Sequence, residues 1–456
     1  MSLMRLPRSL SRRLPLSLSI GLCLSLGLVG ASQAQSLLDL YESAKGYDAG
    51  YQSARSQYEA NLAKVDQAKA ALLPTVGFNA GATRSLFDVT PTNALSNRGY
   101  ITQTAGVSAS QPLYRPANLA SYQQGQKTLA LAEAALSVAQ QDLIVRVSQA
   151  YFDVLTAEQS LVFVKAQKAA VAEQLASAKR NFEVGTATIT DTREAQARFD
   201  LVTAQEIAAD NDLRVKKVAL ELLVGKPQAT PLGMKADATL PALPAQGVDD
   251  WIRQSEDVHP GIAQARANLE IAKLETEKAT AGHKPTVDLT VGYNLQRNLD
   301  GTATSVIASG SNRVTIASAG VNLSLPIFSG TATQNRIRET LALEDKARSD
   351  LESAQRSVAQ ATRTAYLGLQ SGLGQVKALE AAEASSQSAL DANKLGYQVG
   401  VRINIDVLNS QSQLFQTKRD LAKARFDVLM GQLKLRQAAG LLKAEDLQPI
   451  NALLQR

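Results

Sequence analysis

The sequence predicts a mainly α-helical protein with membrane β-strands, built as two tandem repeats that each pair a β-hairpin with a long antiparallel helical hairpin. Three observations lead there. A pattern recurs at a fixed offset of 215 residues, relating Tyr151 to Tyr366, Gly185 to Gly400, Gln196 to Gln411, Leu220 to Leu435 and Gly225 to Gly440. Each copy contains a stretch of helix-forming residues far longer than a globular core can use. Each stretch follows two segments in which apolar and polar residues alternate.

The leader comes first. Arg5, Arg8, Arg12 and Arg13 precede an apolar run at residues 14–29 and a small-x-small site at Ser32-Gln33-Ala34. Residues 1–34 therefore read as a secretory signal peptide, which would leave Gln35 as the first mature residue. The one cysteine, Cys23, lies inside the apolar run after Leu22 and is a poor lipidation site. The mature chain then has no cysteine, which excludes disulfides, thiol nucleophiles and cysteine-ligated metals. The leader's four arginines account for four of the six net positive charges and leave +2. With so little net charge, a nucleic-acid partner has no electrostatic support.

The first repeat is expected at residues 35–226. Its strands are predicted at about 75–86 and 100–111, and its long helix at about 114–181. In that helix no proline follows Pro116 and Gly125 is the only glycine, so some 65 residues should run about 100 Å at 1.5 Å per residue. Ile144, Val147, Tyr151, Val154 and Leu161 recur at alternating threes and fours, a spacing suited to coiled-coil packing. Gly185 suits the left-handed position that closes a helix, and a returning helix follows at about 190–223. Thr188 or Thr190 is the predicted cap, with Asp191 in the first turn where the dipole favours a carboxylate. Residues 227–250 form a proline-bearing linker.

The second repeat, residues 251–442, follows the same plan. Val287, Leu289, Val291, Tyr293 and Leu295 alternate with Asp288, Thr290, Gly292 and Asn294, which predicts a strand at 286–295. Its partner is expected at 314–325, after a polar, glycine-rich loop. A long helix is predicted at 331–398, with smaller matching residues Ala359, Thr362, Tyr366, Leu369 and Val376. It closes at Gly400, and a returning helix starts near Ile405 with Asn404 as its cap and Asp406 in its first turn. Pro74, Pro112, Pro285 and Pro326 bracket the strand pairs and are read as helix-to-strand junctions. Residues 443–456 form a tail.

Strands of this length cross a bilayer when tilted, yet four cannot close a barrel and an open edge cannot face lipid. Several chains must pool them: two copies would give eight strands and three would give twelve, the larger number leaving room for a lumen.

The duplicated hairpins, the long helices and above all the run Tyr397-Gln398-Val399-Gly400-Val401-Arg402-Ile403-Asn404-Ile405-Asp406 resemble the TolC family of outer-membrane efflux channels across essentially the whole mature chain. The resemblance implies a homotrimer with a twelve-stranded barrel in the outer membrane and a twelve-helix tunnel in the periplasm. The linker would belong to a belt around the tunnel and the tail would stay periplasmic. It implies a passive exit duct of a tripartite efflux or type I secretion system, opened at its helix tips by an adaptor and an inner-membrane pump. The family's closing polar links match Tyr397 and Arg402 on the second hairpin and Thr190 and Asp191 on the first. Asp406 matches a ring of inward-facing acids; one turn on, where TolC carries a second aspartate, this chain has Asn409.

Two other readings stand beside it. A periplasmic coiled-coil adaptor or scaffold would share the leader and helices but need no alternating strands. A porin would leave the helices unexplained. Nothing points to an enzyme. His259 and His283 lack metal-ligand spacing and precede prolines at element junctions, and no phosphate loop or nucleophile elbow is present. No cofactor is expected.

Overall fold

In the computed structural model the first copy runs α1 (Leu37–Tyr47), α2 (Ala49–Ala70), β1 (Thr75–Phe87), β2 (Arg98–Tyr114), α3 (Pro116–Glu183) and α4 (Ile189–Val224). The second runs α5 (Val248–Val258), α6 (Pro260–Thr280), β3 (Thr286–Asn298), β4 (Asn312–Ser324), α7 (Ala332–Gln398) and α8 (Asn404–Ala438), and a short α9 (Leu447–Ala452) follows. Residues 35–87, 98–235, 239–299 and 311–454 are described; the expected signal peptide and most of both loops joining paired strands lie outside them. Both long helices and all four strands fall within a few residues of their predicted bounds.

Five of the described α-helices, α1, α2, α5, α6 and α9, were not predicted as elements. α1 and α2 match α5 and α6 at an offset of 211 residues, as β1 matches β3, while the ends of α3 and α7 keep the offset of 215. The duplication therefore spans each whole repeat. The smaller offset was present in the sequence: it relates Arg55 to Arg266, Pro74 to Pro285 and Thr75 to Thr286.

The strands form one antiparallel sheet in the order β1-β2-β3-β4. Its register puts Val76, Ala109, Val291 and Ala319 on one rung, with Phe78, Val107, Tyr293 and Ala317 on the next outward-facing rung. The opposite face carries Asn79, Gly106, Asn294 and Ile316 on one rung and Gly77, Ser108, Gly292 and Ser318 on another. One face is thus apolar across all four strands and the other is small and mostly polar, as a lipid-facing and a water-facing surface require. Pro112 corrects its expected role as a junction. It lies inside β2, which continues to Tyr114, and the register shifts between the two because proline cannot donate to the ladder. The junction is held instead by Arg115, whose Nε and Nη2 donate to the Asp288 carboxylate at 2.8 and 2.7 Å.

Below the sheet, α2, α3, α6 and α7 lie side by side; further down, α4 and α8 replace α2 and α6 beside the continuing long helices. The main core sits where these sets meet. Ile144, Val147, Tyr151 and Val154 of α3 are fully buried there with Leu37, Leu40, Leu220, Leu429 and Leu447. Tyr151 directs its hydroxyl to the Leu232 carbonyl at 2.9 Å and so ties the 227–250 linker to the long helix. The linker also pairs with the segments before α1 and after α9: Gln35 N donates to the Thr230 carbonyl at 2.7 Å, and Lys235 N to the Leu453 carbonyl at 3.0 Å. The tail is thereby held against the linker.

Asp48 caps α2 by accepting from Tyr51 N at 2.8 Å, and its carboxylate takes two bonds from Arg146 at 2.9 and 3.0 Å. The Arg146 guanidinium, set against the opposing effect of burial, holds that carboxyl below its ordinary pKa. His259 is its counterpart at the start of α6: Nδ1 accepts from Gly261 N at 3.0 Å. Burial pushes the imidazole below its ordinary value of 6.5, which keeps Nδ1 free to accept. The backbone of His259 lies so close to Gly440 that a side chain there would meet its Cα at 2.5 Å, and Gly440 has φ +73°.

Candidate functional site

The lower ends of the helical hairpins carry the residues singled out by sequence. Gly185 and Gly400 both have φ +80°, a conformation that costs other residues about 1–2 kcal/mol. The turns repeat bond for bond. Thr186 N donates to the Asn181 carbonyl at 2.8 Å, and Val401 N to the Gly396 carbonyl at 2.9 Å. These are Schellman-type closures, and they let each chain reverse within a few residues.

The two returning helices start differently. Thr188 caps α4, its Oγ1 accepting from Asp191 N at 3.2 Å while the Asp191 carboxylate accepts from Thr188 N at 2.9 Å. That capping box occupies Asp191, and Thr190 stays exposed. The expected cap Asn404 is corrected: Ile403 occupies the cap position without a side-chain bond, and Asn404 is the first helical residue. Its side chain is fully buried. There Nδ2 donates to the Asp191 carbonyl at 3.3 Å and Oδ1 accepts from Gln174. A buried amide left without partners would cost about 1–3 kcal/mol, so Asn404 turns inward to these bonds instead of capping.

Asn404 therefore ties the two hairpins of one protomer together. Leu408, one turn on, is fully buried among Val164, Val171, Leu175, Ala195 and Val202 of the first hairpin. Burial of such a side chain contributes about 1.5–3 kcal/mol. Tyr397 adds a third link, its hydroxyl accepting from Asn181 Nδ2 at 3.3 Å, and Arg198 donates to Asn409 at 2.8 Å. Sequence reading missed Asn181, Gln174 and Arg198; no single-chain pattern marks them, because each lies on an ordinary polar helix surface.

Arg402 pairs with Asp406 on the next turn at 3.7 Å, both partly exposed. Within one protomer no hydrogen bond or ion pair joins Arg402 to Thr190 or Asp191. The set thus falls into two groups: Tyr397 reaches the first hairpin, while Arg402 in the turn before α8 pairs with Asp406 in its first turn.

The pattern of the outer membrane efflux protein family matches residues 40–226 and 251–441. The chain belongs to that family. Outer membrane protein TolC of Vibrio cholerae is 32% identical over 425 residues, which cover 93% of this chain and 95% of that protein. The proteases secretion protein PrtF of Dickeya chrysanthemi is 29% identical over 442 residues, covering 93% of this chain and 92% of that protein. The crystal structure of the outer membrane protein VceC from Vibrio cholerae superposes with a TM-score of 0.75 at 20% identity, over 89% of this chain and 96% of that one.

Membership makes this an outer-membrane channel protein with a periplasmic helical extension, one of a family of homotrimers that serve as exit ducts of efflux and type I secretion systems. The amphipathic sheet is what a scaffold without a barrel would lack.

Proposed function

We propose that the hairpin tips are the gate of this duct, closed at rest by polar links and opened when an adaptor and an inner-membrane pump engage them. The observation that carries the reading is the tip itself: two glycine reversals side by side, tied by Asn404, Leu408 and Tyr397 within a protomer. Arg402 is left exposed with only a weak pair to Asp406, which makes it available to Thr190 and Asp191 of a neighbouring protomer. Exposed ion pairs contribute about 0.2–1 kcal/mol, so such latches yield to a docking partner.

Asp406 then supplies the acidic ring around the aperture. Three carboxylates brought together by a threefold axis repel one another and attract cations, and Arg402 beside each one offsets part of that charge. Asn409 in place of a second acid makes the cation trap weaker.

The experiment is membrane fractionation followed by planar-bilayer recording. The full-length protein should leave with the outer membrane as a trimer and give small, cation-preferring channels. A protein recovered in the soluble periplasm, or a trimer whose channels are wide without any partner, would overturn the proposal.

A further inference from the structure

Strand register places two arginines directly opposite one another, Arg297 on β3 and Arg313 on β4, with Gln103 of β2 on the same rung. Like charges in this arrangement destabilise a sheet. Both side chains are exposed, and among the described residues neither guanidinium has a carboxylate partner.

Their position on the sheet is informative. Cross-strand partners share a face, so Arg297 and Arg313 stand on the apolar, lipid-facing side, next to the rung of Ala105, Leu295 and Thr315. They lie at the end of the strands away from the helices, and therefore at the outer surface. Ten residues separate Val287 at the inner edge from Arg297. At about 3.3 Å per residue and the usual tilt, that climb is about 25 Å, the height of a barrel's apolar band. The arginines thus sit where hydrocarbon gives way to headgroups.

A surface groove at this spot is lined by Gln103, Ala105, Leu295, Arg297 and Arg313 of this face together with Thr104, Gln296, Ser311 and Asn312 at the strand ends. On the apolar face it offers two guanidinium groups and the Gln103 amide, with Ala105 and Leu295 one rung below. Arg84 of β1 is on the same face, one rung higher.

We infer that this groove binds a phosphorylated lipid of the outer leaflet, the phosphate bridging Arg297 and Arg313 and an acyl chain lying over Ala105 and Leu295. A phosphate accepts bidentate bonds from guanidinium groups, which accounts for a pair that would otherwise only repel. The inference rests on the lipid-facing assignment of this sheet face and is independent of the gate.

The test uses the intact trimer. Wild type and the Arg297→Gln/Arg313→Gln double variant are reconstituted in nanodiscs of phosphatidylcholine containing diphosphoryl lipid A, and the lipid retained per trimer is measured by native mass spectrometry. Wild type should retain the phosphorylated lipid and the double variant should bind about tenfold less, as losing one or two charge-assisted contacts implies. Replacing the lipid by its dephosphorylated form should weaken wild-type binding to the variant's level, and inorganic phosphate alone should not compete at equal concentration. Competition by inorganic phosphate would mean an anion site rather than a lipid site. Equal retention by both proteins would overturn the inference. Arg84→Gln, on the same face but outside the groove, controls for general charge loss. Failure of the double variant to form trimers would tie the arginines to assembly; the dephosphorylated lipid on the wild-type trimer then decides alone.

Discussion

Asp406 and Arg402 show how one residue can serve two requirements at the tip. Because Arg402 in the turn pairs with Asp406 in the first turn of α8, removing either would change both the proposed latch and the charge at the proposed aperture. Arg402→Ser should raise single-channel conductance in planar bilayers and, by freeing Asp406, also strengthen block by trivalent cations; unchanged conductance would remove Arg402 from the gate. Asp406→Ala should weaken that block, and full retention would put the constriction elsewhere. Asn404 shows where residue-level reading from sequence fails. A polar residue just before a helix normally signals a cap. Here an apolar residue, Ile403, takes the cap position, since the amide is satisfied by Gln174 and by the Asp191 carbonyl on elements some 200 residues away in the chain.

Among elements, the strand pairs and long helices were legible because their signals are local: period two for the strands, and an unbroken helical stretch between glycine and proline for α3 and α7. α2 and α6 were not, because their apolar residues are mostly alanine and few of their side chains are buried. The junctions at the waist carry a pH dependence of known sign. His259 is held neutral in the fold, so the unfolded chain takes up a proton first as pH falls; the stabilising cap is fully present above the ordinary value of 6.5 and is lost progressively below it. His259→Asn keeps an acceptor for Gly261 N without the titration. Thermal unfolding measured from pH 7 to about pH 5 should show a smaller acid loss in the variant than in wild type. Equal loss in both would mean that other groups control the acid sensitivity. Asp48, held below its ordinary pKa beside Arg146, contributes in a lower window, its cap being lost only as pH falls through the carboxylate range.

At the scale of the whole molecule, a single protomer is incomplete. β1 and β4 are open edges, which lipid does not tolerate, and α4 exposes Ile207, Val215, Val218 and Leu222 along one side. Association with further copies would pair the edges and would be expected to cover such surface. Ile207→Asp combined with Leu222→Asp should leave the helix content by circular dichroism unchanged but abolish the trimer on a semi-native gel; an intact trimer would show that this side of α4 lies outside the contact between protomers. By itself the sequence determined the duplication, the four strands, the two long helices and the glycine reversals, because each follows from periodicity or backbone freedom within a short window. Only the tertiary structure decided that Asn404 links the hairpins, that Asp191 is engaged in its own cap, and that Arg297 faces Arg313 on the apolar face of the sheet. Those outcomes depend on register and on contacts between residues distant in the chain, and no local pattern encodes either.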